Sequence, residues 1–569
     1  NLGNPPWERI KLQEKEFFAQ RDPEIASASN AAVRKRLIAK LPETNPALWK
    51  AFASAKRMSE GESHFLRASD RYPLSAVGDL NTYQIFAGLF RELLSNNGRA
   101  GVIVPTGIAT DDTNKQFFVD LTEKKALVSL YDFENKEGIF PAVHRSYKFC
   151  LLTMGAPNAA PEGTDFAFYL TNTAQLHESD RHFKLSSEEI ALLNPNTRTC
   201  AIFRSKRDAE ITKAIYRRVP VFRPSQIKNW TVDQSTMFHS MNAAHLFTES
   251  NVLESNGYTF NQFSYIGDLD QYLPLYEGKI FMQYDHRYAN VVISETATAR
   301  PAQPEIITLK DHLDPSYNPL VRAWVNMKEV VSWSHQKNYS KLWFLVYKKI
   351  TSSTNERTLI STIIPFSALT DTVHIIIPPN DFSIEEINFL LGCMNSLIVD
   401  YVVRQKLGGN SINFYTMDQI PILRLSNIPG INNQITKAVL ELSYTSYSLR
   451  LFAEDVWAEL YPEASARPPL PEPFIWDEER RYKIRCELDA MYFHLYGINR
   501  DETDYILETF PIVKRRDIAQ YGEYRTKNLI LEIYDAMQRA QETGQPYQTI
   551  LNPPPADLSM VHPRRENGL

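Results

Sequence analysis

Helical and strand-like patterns alternate between residues 81 and 154, and this alternation constrains the fold more than any other feature of the sequence. Residues 81–95 place apolar side chains at helical spacing, and Asn-Asn-Gly at 96–98 predicts the end of that helix. Three short apolar runs follow, as expected of buried strands: residues 99–105, 126–133 and 149–154. The pattern predicts an α/β sheet built from right-handed βαβ units. Its last strand follows a turn at 140–141 and is free to pair antiparallel.

Composition narrows the class of protein. The chain has 569 residues, of which 43% are hydrophobic and 23% charged, so we expect three or four globular domains. No apolar run approaches the roughly 18 residues of a membrane span. The net charge is −5, so any contact with DNA must come from local basic surface. Four separated cysteines argue against a structural zinc site and indicate a reducing cytoplasm: Cys150, Cys200, Cys393 and Cys486.

The tetrapeptide Asn4-Pro5-Pro6-Trp7 stands at the end of an apparent strand and carries the sharpest chemical signal. Methylating the amino group of adenine requires the base to leave the helix stack, after which two oxygens must accept both N–H hydrogens. The Asn4 side-chain oxygen and a backbone carbonyl can accept them, and consecutive prolines keep that carbonyl aimed. Trp7 can stack on the flipped base, worth about 1–3 kcal/mol. The alternative interpretation is a rigid proline turn with an exposed Trp.

Ordered segments around this motif resemble the gamma-class (TaqI-like) N6-adenine DNA methyltransferases, especially large Eco57I-type enzymes of type IIG restriction–modification and of BREX- or DISARM-like phage defence. The segment LGNPPW (2–7) is similar to the family's motif IV, and GIFP (138–141) followed by FCLLTM (149–154) is similar to its motif VIII. Further similar segments of the helix–strand region and of a target-recognition domain are residues 81–83, 98–105, 200–220, 273–288, 350–365 and 395–422.

The resemblance implies an enzyme that transfers a methyl group from S-adenosylmethionine to adenine N6 in double-stranded DNA, an adenine-specific DNA methyltransferase. It implies that Phe140 stacks on the face of the adenine opposite Trp7. A core Phe at a turn is the alternative for Phe140, and we expect Asn81 and Tyr83 to be structural. We expect duplex DNA as the partner, further restriction or defence subunits as open candidates, and no membrane.

One departure from the family concerns the cofactor. The family binds S-adenosylmethionine through an FxGxG turn upstream of this motif, and no Gly-x-Gly occurs in this chain. The chain also begins at Asn1 rather than Met. We therefore expect the C-terminal two-thirds of a larger enzyme, inactive alone.

The expected fold class is a partial Rossmann-like α/β methyltransferase lobe, a mixed α+β target-recognition domain and an α-helical C-terminal region. We place their boundaries as follows: 1–160 the C-terminal part of the catalytic lobe, 161–200 a connector, 201–430 the recognition domain, 431–550 the helical region and 551–569 a disordered tail.

Basic residues interleaved with aromatics in the recognition domain are candidate DNA contacts, although each one alone is also consistent with a solvated surface. They are Lys279, Lys348, Lys349, Arg357, Arg404 and Lys406. Asp270 with Glu277 and Lys279 superficially resembles a nuclease metal site, but we expect no metal there. The triplet Asp285-His286-Arg287 could add a metal ligand, and a hydrogen-bonded turn or a DNA contact is the alternative.

Two other functions remain open at this point. The chain could be a DNA-binding specificity subunit without its own catalysis, paired with a second chain that supplies the cofactor lobe. The same chemistry could also act on RNA or protein.

Overall fold

The computed structural model describes residues 1–28, 31–224, 232–240, 242–293, 302–407, 409–425 and 430–564. It contains two units, Asn1–Lys213 and Ala214–Leu569, each with a separate set of internal contacts. Both units mix helices with β-sheets, so the chain is an α/β protein with several sheets.

A six-stranded mixed sheet organises the first unit, in the order β1-β2-β4-β3-β5-β6. β1 is parallel to β2 and β3 to β5, whereas β4 is antiparallel to both of its neighbours. β1, β2, β3 and β5 therefore run in one direction and β4 in the other, which confirms the antiparallel last strand. The strands are β1 (Leu2–Gly3), β2 (Arg99–Pro105), β3 (Leu127–Glu134), β4 (Lys148–Gly155), β5 (Thr164–Leu170) and β6 (Phe183–Leu185).

Nine helices of at least four residues lie in the described part of residues 1–218. Their bounds are α1 (Glu14–Ala19), α2 (Pro23–Ala26), α3 (Ala31–Thr44), α4 (Pro46–Ala68), α5 (Thr82–Glu92), α6 (Gly107–Thr110), α7 (Lys115–Glu123), α8 (Ser187–Leu193) and α9 (Lys206–Arg218). Of the prolines in these helices, Pro42 lies inside α3. Pro46 instead begins α4, where a missing N–H costs nothing, and the Asn45 side chain caps that helix.

α5 forms where the apolar spacing predicts a helix. Asn81 caps it through reciprocal hydrogen bonds with Gln84, and Tyr83 is buried in it, so the expectation that Asn81 and Tyr83 are structural is met. Gly3 of β1 approaches this helix closely, because a Cβ at that position would lie 3.0 Å from the Phe90 ring.

Residues 161–200, expected as a connector, contribute to the sheet of the first unit. β5 pairs with β3, β6 pairs with β5, and the aromatic residues Phe166, Phe168 and Phe183 are buried between them. The continuous apolar run FAFYL suits a strand covered on both faces, and this burial places the segment in the sheet.

The second unit contains eleven short strands in its described residues. They are β7 (Asp233–Ser235), β8 (Thr259–Phe260), β9 (Tyr265–Ile266), β10 (Gln271–Tyr276), β11 (Ala289–Ile293), β12 (Ala302–Ile306), β13 (Trp324–Asn326), β14 (Trp343–Lys348), β15 (Ser361–Pro365), β16 (Ala368–Leu369) and β17 (Val373–Ile377). β15-β14-β17-β7 form an antiparallel sheet, β13-β10-β9-β8 form a second with β16 beside β10, and β11-β12 form a hairpin. A single apolar cluster that includes Leu275, Phe344 and Ile375 joins the first two sheets.

Helices cover this core and form the C-terminal half of the unit. They are α10 (Ser250–Ser255), α11 (Leu309–Leu313), α12 (Met327–Gln336), α13 (Ile384–Asn395), α14 (Leu397–Lys406), α15 (Phe414–Met417), α16 (Ile431–Ser443), α17 (Arg450–Leu460), α18 (Glu478–Leu495), α19 (Arg500–Glu508), α20 (Pro511–Tyr521) and α21 (Arg525–Thr543). Among the described residues no single helix is long and apolar enough to cross a membrane. α13 and α14, bent by 61°, meet those criteria only when taken as a pair.

We expected a domain boundary near residue 430, but the strand-rich and helical segments share one core. Tyr492 of α18 donates a hydrogen bond to the carbonyl of Phe389 in α13 over 2.7 Å, and the Trp343 indole of β14 donates one to Asp455 of α17 over 3.0 Å. α13 and α14 are buried on nearly every side, which requires the later helices to cover them.

Residues 551–564, expected to be disordered, follow a fixed path. Phe474 and Val561 form a β-bridge, and the Arg480 guanidinium donates a hydrogen bond to the carbonyl of Pro553 over 2.8 Å. These contacts, together with a short 3-10 helix at Leu558–Met560, fix the path of the Pro-rich segment. The last five residues of the expected tail, 565–569, lie outside the described residues.

Candidate functional site

Asn4-Pro5-Pro6-Trp7 follows directly on the carboxyl end of β1. Because β1, β2, β3 and β5 run in the same direction, the segments that follow them meet at one edge of the sheet. That edge is where open α/β sheets place their ligands. Pro5 is buried and Trp7 half-buried, whereas Asn4 is exposed. The loop therefore rests on Pro5 and leaves Pro6 and Asn4 exposed.

The two proline carbonyls of this loop differ in their hydrogen bonds. The Pro6 carbonyl accepts a hydrogen bond from Thr82 Oγ1 over 2.5 Å. The Asn4 side chain and the Pro5 carbonyl make no hydrogen bond within the described residues. Asn4 Oδ1 and the Pro5 oxygen are therefore acceptors without a hydrogen-bond partner among the described residues.

Thr82 at the start of α5 fixes the path of the loop. Its Oγ1 also accepts a hydrogen bond from the backbone N–H of Glu8 over 2.9 Å, and its own N–H donates to the Glu8 carbonyl over 2.9 Å. Ile10 N–H continues this pairing to the Leu80 carbonyl over 3.0 Å. The chain on the far side of Trp7 is thus tied to the N-terminus of a helix more than 70 residues away in sequence.

Trp7 and Phe140 pack against the same hydrophobic cluster, which we call the edge cluster. Its members are Phe133, Phe149, Ala167 and Leu170. Phe140 meets Phe149 edge to face with ring centroids 5.1 Å apart, and Phe149 stacks on Phe133 at 5.4 Å. Trp7 and Phe140 make no direct ring contact within the described residues. The Trp7 indole nitrogen has no hydrogen-bond partner there. The two rings therefore stand on a shared base with neither stacked on the other.

Asn135 holds the loop that carries Phe140. This completely buried side chain donates to the carbonyls of Phe140 (2.9 Å) and Val143 (2.8 Å) and accepts from the Phe140 N–H (2.9 Å). Gly138 turns the chain at φ 79°, a conformation that favours glycine. Phe140 is thereby positioned by a polar side chain at the end of β3.

A buried polar group lies at the same sheet edge. Thr106, just after β2, donates a hydrogen bond to Asp132 of β3 over 2.5 Å. Burial raises the pKa of the Asp132 carboxyl, and the Thr106 hydrogen bond opposes that shift. Nearby, the Tyr169 ring lies beneath Lys148 and Arg204, and burial raises its pKa to about 12. Tyr169 has φ 57°, a strained conformation for a side chain of that size. Thr106, Asp132 and Tyr169 all lie near the carboxyl ends of their strands.

In the second unit, the predicted DNA contacts lie among intramolecular partners. Lys279 donates to the Ala302 carbonyl over 2.9 Å. Lys348 points at the Met282 sulfur over 3.4 Å, and burial lowers its pKa to about 8. Lys349 lies 3.8 Å from the Asp371 carboxylate, and Lys406 stands over the Tyr216 ring at 4.6 Å.

The two arginines of the predicted set are tied still more firmly. Arg357 donates to the Gln283 side chain over 2.9 Å and to the Asn395 carbonyl. Arg404 pairs with Asp400 at 3.0 Å and donates to two backbone carbonyls of the 350s segment at 2.8 Å each. Both cations hold that segment in place. Whether any of the six basic residues contacts DNA stays a prediction.

The acidic residues of the nuclease-like pattern each meet a cation. Asp270 forms an ion pair with Lys328, and Glu277 lies 3.2 Å from Arg322 and 3.5 Å from Lys279. Within the described residues no group of three or more His, Cys, Asp or Glu side chains is arranged to hold a metal ion.

Residues 285–287 form a hydrogen-bonded turn. The backbones of Asp285 and Met282 bond to each other in both directions, at 2.8 and 3.1 Å. The Asp285 carboxylate meets His312 at 3.1 Å, and Arg287 is fully buried with hydrogen bonds to the His312 and Thr445 carbonyls, among others. Of the alternatives for this triplet, the structure supports the turn.

Sequence reasoning missed the roles of Thr82 and Asn135. A polar residue immediately after a predicted strand, as in Asn135-Lys136-Glu137-Gly138, is a recognisable turn signal. Nothing local identifies Thr82, because its partners are Pro6 and Glu8.

Several solved structures are similar to this chain over much of its length. The type IIL restriction–modification enzyme MmeI in complex with DNA matches at 10% identity and a TM-score of 0.36, covering 79% of this chain and 55% of that one. The type IIG restriction endonuclease BpuSI matches at 13% and 0.26, covering 70% and 52%. A nuclease-deletion mutant of the type ISP enzyme LlaGI with a DNA substrate mimic matches at 12% and 0.36, covering 78% and 41%.

This chain therefore spans about half the length of each of these structures. No protein-family model matches the sequence, and no curated protein is similar to it.

Proposed function

We propose that this chain carries the target-base half of the active site of a DNA adenine-N6 methyltransferase, with S-adenosylmethionine as the methyl donor and double-stranded DNA as the substrate. The observation that carries the proposal is the pair of unoccupied acceptors, Asn4 Oδ1 and the Pro5 carbonyl, at the carboxyl edge of the sheet. The sequence resemblance to restriction–modification and phage-defence enzymes supplies the biological setting of the proposal.

The two acceptors suit an exocyclic amino group. Its lone pair is delocalised into the purine ring, so the nitrogen is a poor nucleophile until both hydrogens are held by oxygens out of the ring plane. Asn4 and Pro5 accept one hydrogen each. The hydrogen bond from Thr82 occupies the Pro6 carbonyl, so that this carbonyl does not bind the amino group, and it holds the adjacent Pro5 carbonyl in position.

The aromatic residues suit a flipped base. A base that leaves the duplex loses its stacking, and rings on its two faces replace part of that energy. Trp7 and Phe140 share the edge cluster without contacting each other, so a planar ring between them would meet an aromatic residue on each face. Asn135 holds the loop that carries Phe140, and Thr82 holds the loop that carries Trp7.

The residues of this chain do not fit the cofactor. The segments after β1, β2, β3 and β5 contain no Gly-x-Gly turn, and the segment after β1 is occupied by the tetrapeptide itself. S-adenosylmethionine would supply the electrophilic methyl group.

Substituting Asn4 tests the proposal directly. In the full-length protein, with labelled S-adenosylmethionine and an adenine-containing duplex, we expect Asn4→Ala to reduce methyl transfer roughly 100-fold or more, as for loss of a transition-state hydrogen-bonding group. DNA affinity should stay within about threefold, because phosphate contacts dominate binding. Asn97→Ala, which removes another exposed Asn, is the matched control.

The methylated base identifies the reaction. Digestion of the product duplex should release N6-methyladenine. Methylcytosine, or label in RNA or protein alone, would contradict the substrate assignment. DNA binding by the full-length protein without any methyl transfer would favour a non-catalytic specificity subunit.

A further inference from the structure

A basic groove lies beside the candidate site in the first unit. It has a volume of about 920 Å³ and is bounded by residues 9–16, α3, α4 and the segment before α5. Its described lining includes seven Lys or Arg side chains and four Asp or Glu. The region it belongs to, residues 8–72, holds thirteen basic and nine acidic residues in a chain whose net charge is −5.

Several cations of the groove have no partner within the protein. The side chains of Arg9, Lys11, Lys15 and Lys35 make no ion pair or hydrogen bond among the described residues. Arg34 pairs through Nε with Glu14 at 2.9 Å, while its Nη1 has no hydrogen-bond partner there. Helical surfaces usually neutralise such charges with neighbours three or four positions away, as Lys56 and Glu60 do here at 3.8 Å.

The groove is continuous with the loop that presents Asn4. Its wall begins at Arg9, whose backbone bridges to Asn81 next to the Thr82 clamp. Arg9 lies two positions after Trp7, a span of at most about 7 Å. Phosphates follow one another every 3.4 Å along the axis of one DNA strand. The phosphates flanking a base held at Trp7 would therefore reach the mouth of the groove.

We propose that this groove, which we call the basic groove, binds the phosphate backbone of the DNA strand next to the extruded base. The inference rests on the proposed function, because it places that base at Asn4 and Trp7. Lys11, Lys15 and Lys35 neutralise phosphates without reading sequence.

Neutralising the unpaired lysines tests the groove. We expect the triple variant Lys11→Gln, Lys15→Gln, Lys35→Gln to bind a fluorescent 20-base-pair duplex at least 10-fold more weakly at about 0.1 M salt. The slope of log affinity against log salt should shrink by about 2 to 3, since each lost phosphate contact removes about 0.9. The matched control removes three cations of α3 and α4 that do not line the groove: Arg36→Gln, Lys40→Gln, Lys50→Gln.

A second measurement uses the unmodified protein. Acetylation of lysines, read by mass spectrometry, should slow at Lys11, Lys15 and Lys35 when the duplex is bound and stay unchanged at Lys40 and Lys50.

Replacing the three groove lysines with Arg should preserve binding, because a phosphate accepts either cation.

Equal weakening by the groove variant and its control would overturn the proposal, as would unchanged binding or absence of lysine protection. A failure of the groove proposal can be distinguished from a failure of the proposed methyl-transfer function. If Asn4→Ala retains methyl transfer but the groove lysines are protected, the proposed function fails and the groove stands. If methyl transfer follows Asn4 but the groove lysines are unaffected by DNA, only the groove fails.

Discussion

Replacing Asn135 with Ala should release the loop that carries Phe140. The side chain makes three hydrogen bonds, two as donor and one as acceptor, all between 2.8 and 2.9 Å, and is fully buried. Each such bond contributes about 0.5–1.5 kcal/mol net. Residues 141–147 are exposed, so water can replace part of the loss. We therefore expect the opening of this loop to become easier by about 2 kcal/mol, roughly a 30-fold larger opening constant.

Hydrogen exchange measured by mass spectrometry reads that opening directly. Peptides covering residues 136–147 should exchange about 30-fold faster in the variant, chiefly at Phe140, whose N–H loses its acceptor. Peptides from β2 should be unchanged. Lys136→Ala, which alters the adjacent exposed side chain, is the control.

The same variant tests the link to function. Asn135→Ala should reduce methyl transfer about as much as Phe140→Ala, and the double variant should be little worse than either one, because both remove the same wall of the site. Exchange within threefold of the parent protein would refute the account of Asn135. Faster exchange with unchanged methyl transfer would instead refute the role given to Phe140.

Two further predictions concern the clamp and the second unit. Thr82→Val should lower kcat about 10-fold, equivalent to 1.4 kcal/mol, with KM nearly constant, because it frees the Pro6 carbonyl beside the proposed acceptors. Thr82→Ser keeps the hydroxyl and should restore kcat. A change in KM alone would contradict the positioning role of Thr82. Burial lowers the pKa of His374 to about 4, so folding favours its neutral form: the stability it contributes is present above pH 6.5 and declines as pH falls toward 4. His374→Phe should therefore flatten the fall in thermal midpoint between pH 7 and pH 5, and an unchanged slope would contradict this.

The sheet of the first unit could be predicted where apolar runs are bounded by Gly, Pro or a turn. β2, β3 and β4 lie within two residues of the predicted segments. β5 and β6 lie in the segment predicted to be a connector, and the positive φ of Tyr169 at the end of β5 is a conformation that the sequence does not predict. Their place in the sheet depends on pairing with β3, a contact 30 to 40 residues away.

The basic residues of the second unit show a different limit. Interleaved Lys, Arg and aromatic residues predict a nucleic-acid surface, yet the same pattern arises when cations stabilise a loop from inside. Arg404 donates hydrogen bonds to the carbonyls of Asn355 and Glu356 and lies over the Phe510 ring at 4.4 Å. Only the partners of each side chain distinguish the two cases, and those partners come from segments distant in sequence.

The tetrapeptide illustrates why a motif defines chemistry but not geometry. Asn-Pro-Pro-Trp offers two proline carbonyls, and the sequence cannot say which one faces a ligand. The Thr82 hydroxyl occupies the Pro6 oxygen, whereas the Asn4 side chain and the Pro5 carbonyl have no hydrogen-bond partner among the described residues, which is why we propose them as the acceptor pair. Asn135 plays the corresponding part for Phe140 on the other wall. If both assignments hold, a chain that keeps the tetrapeptide but loses either polar side chain should bind DNA and transfer methyl groups poorly. The determinants of catalysis would then extend to two residues that no reading of the motif identifies.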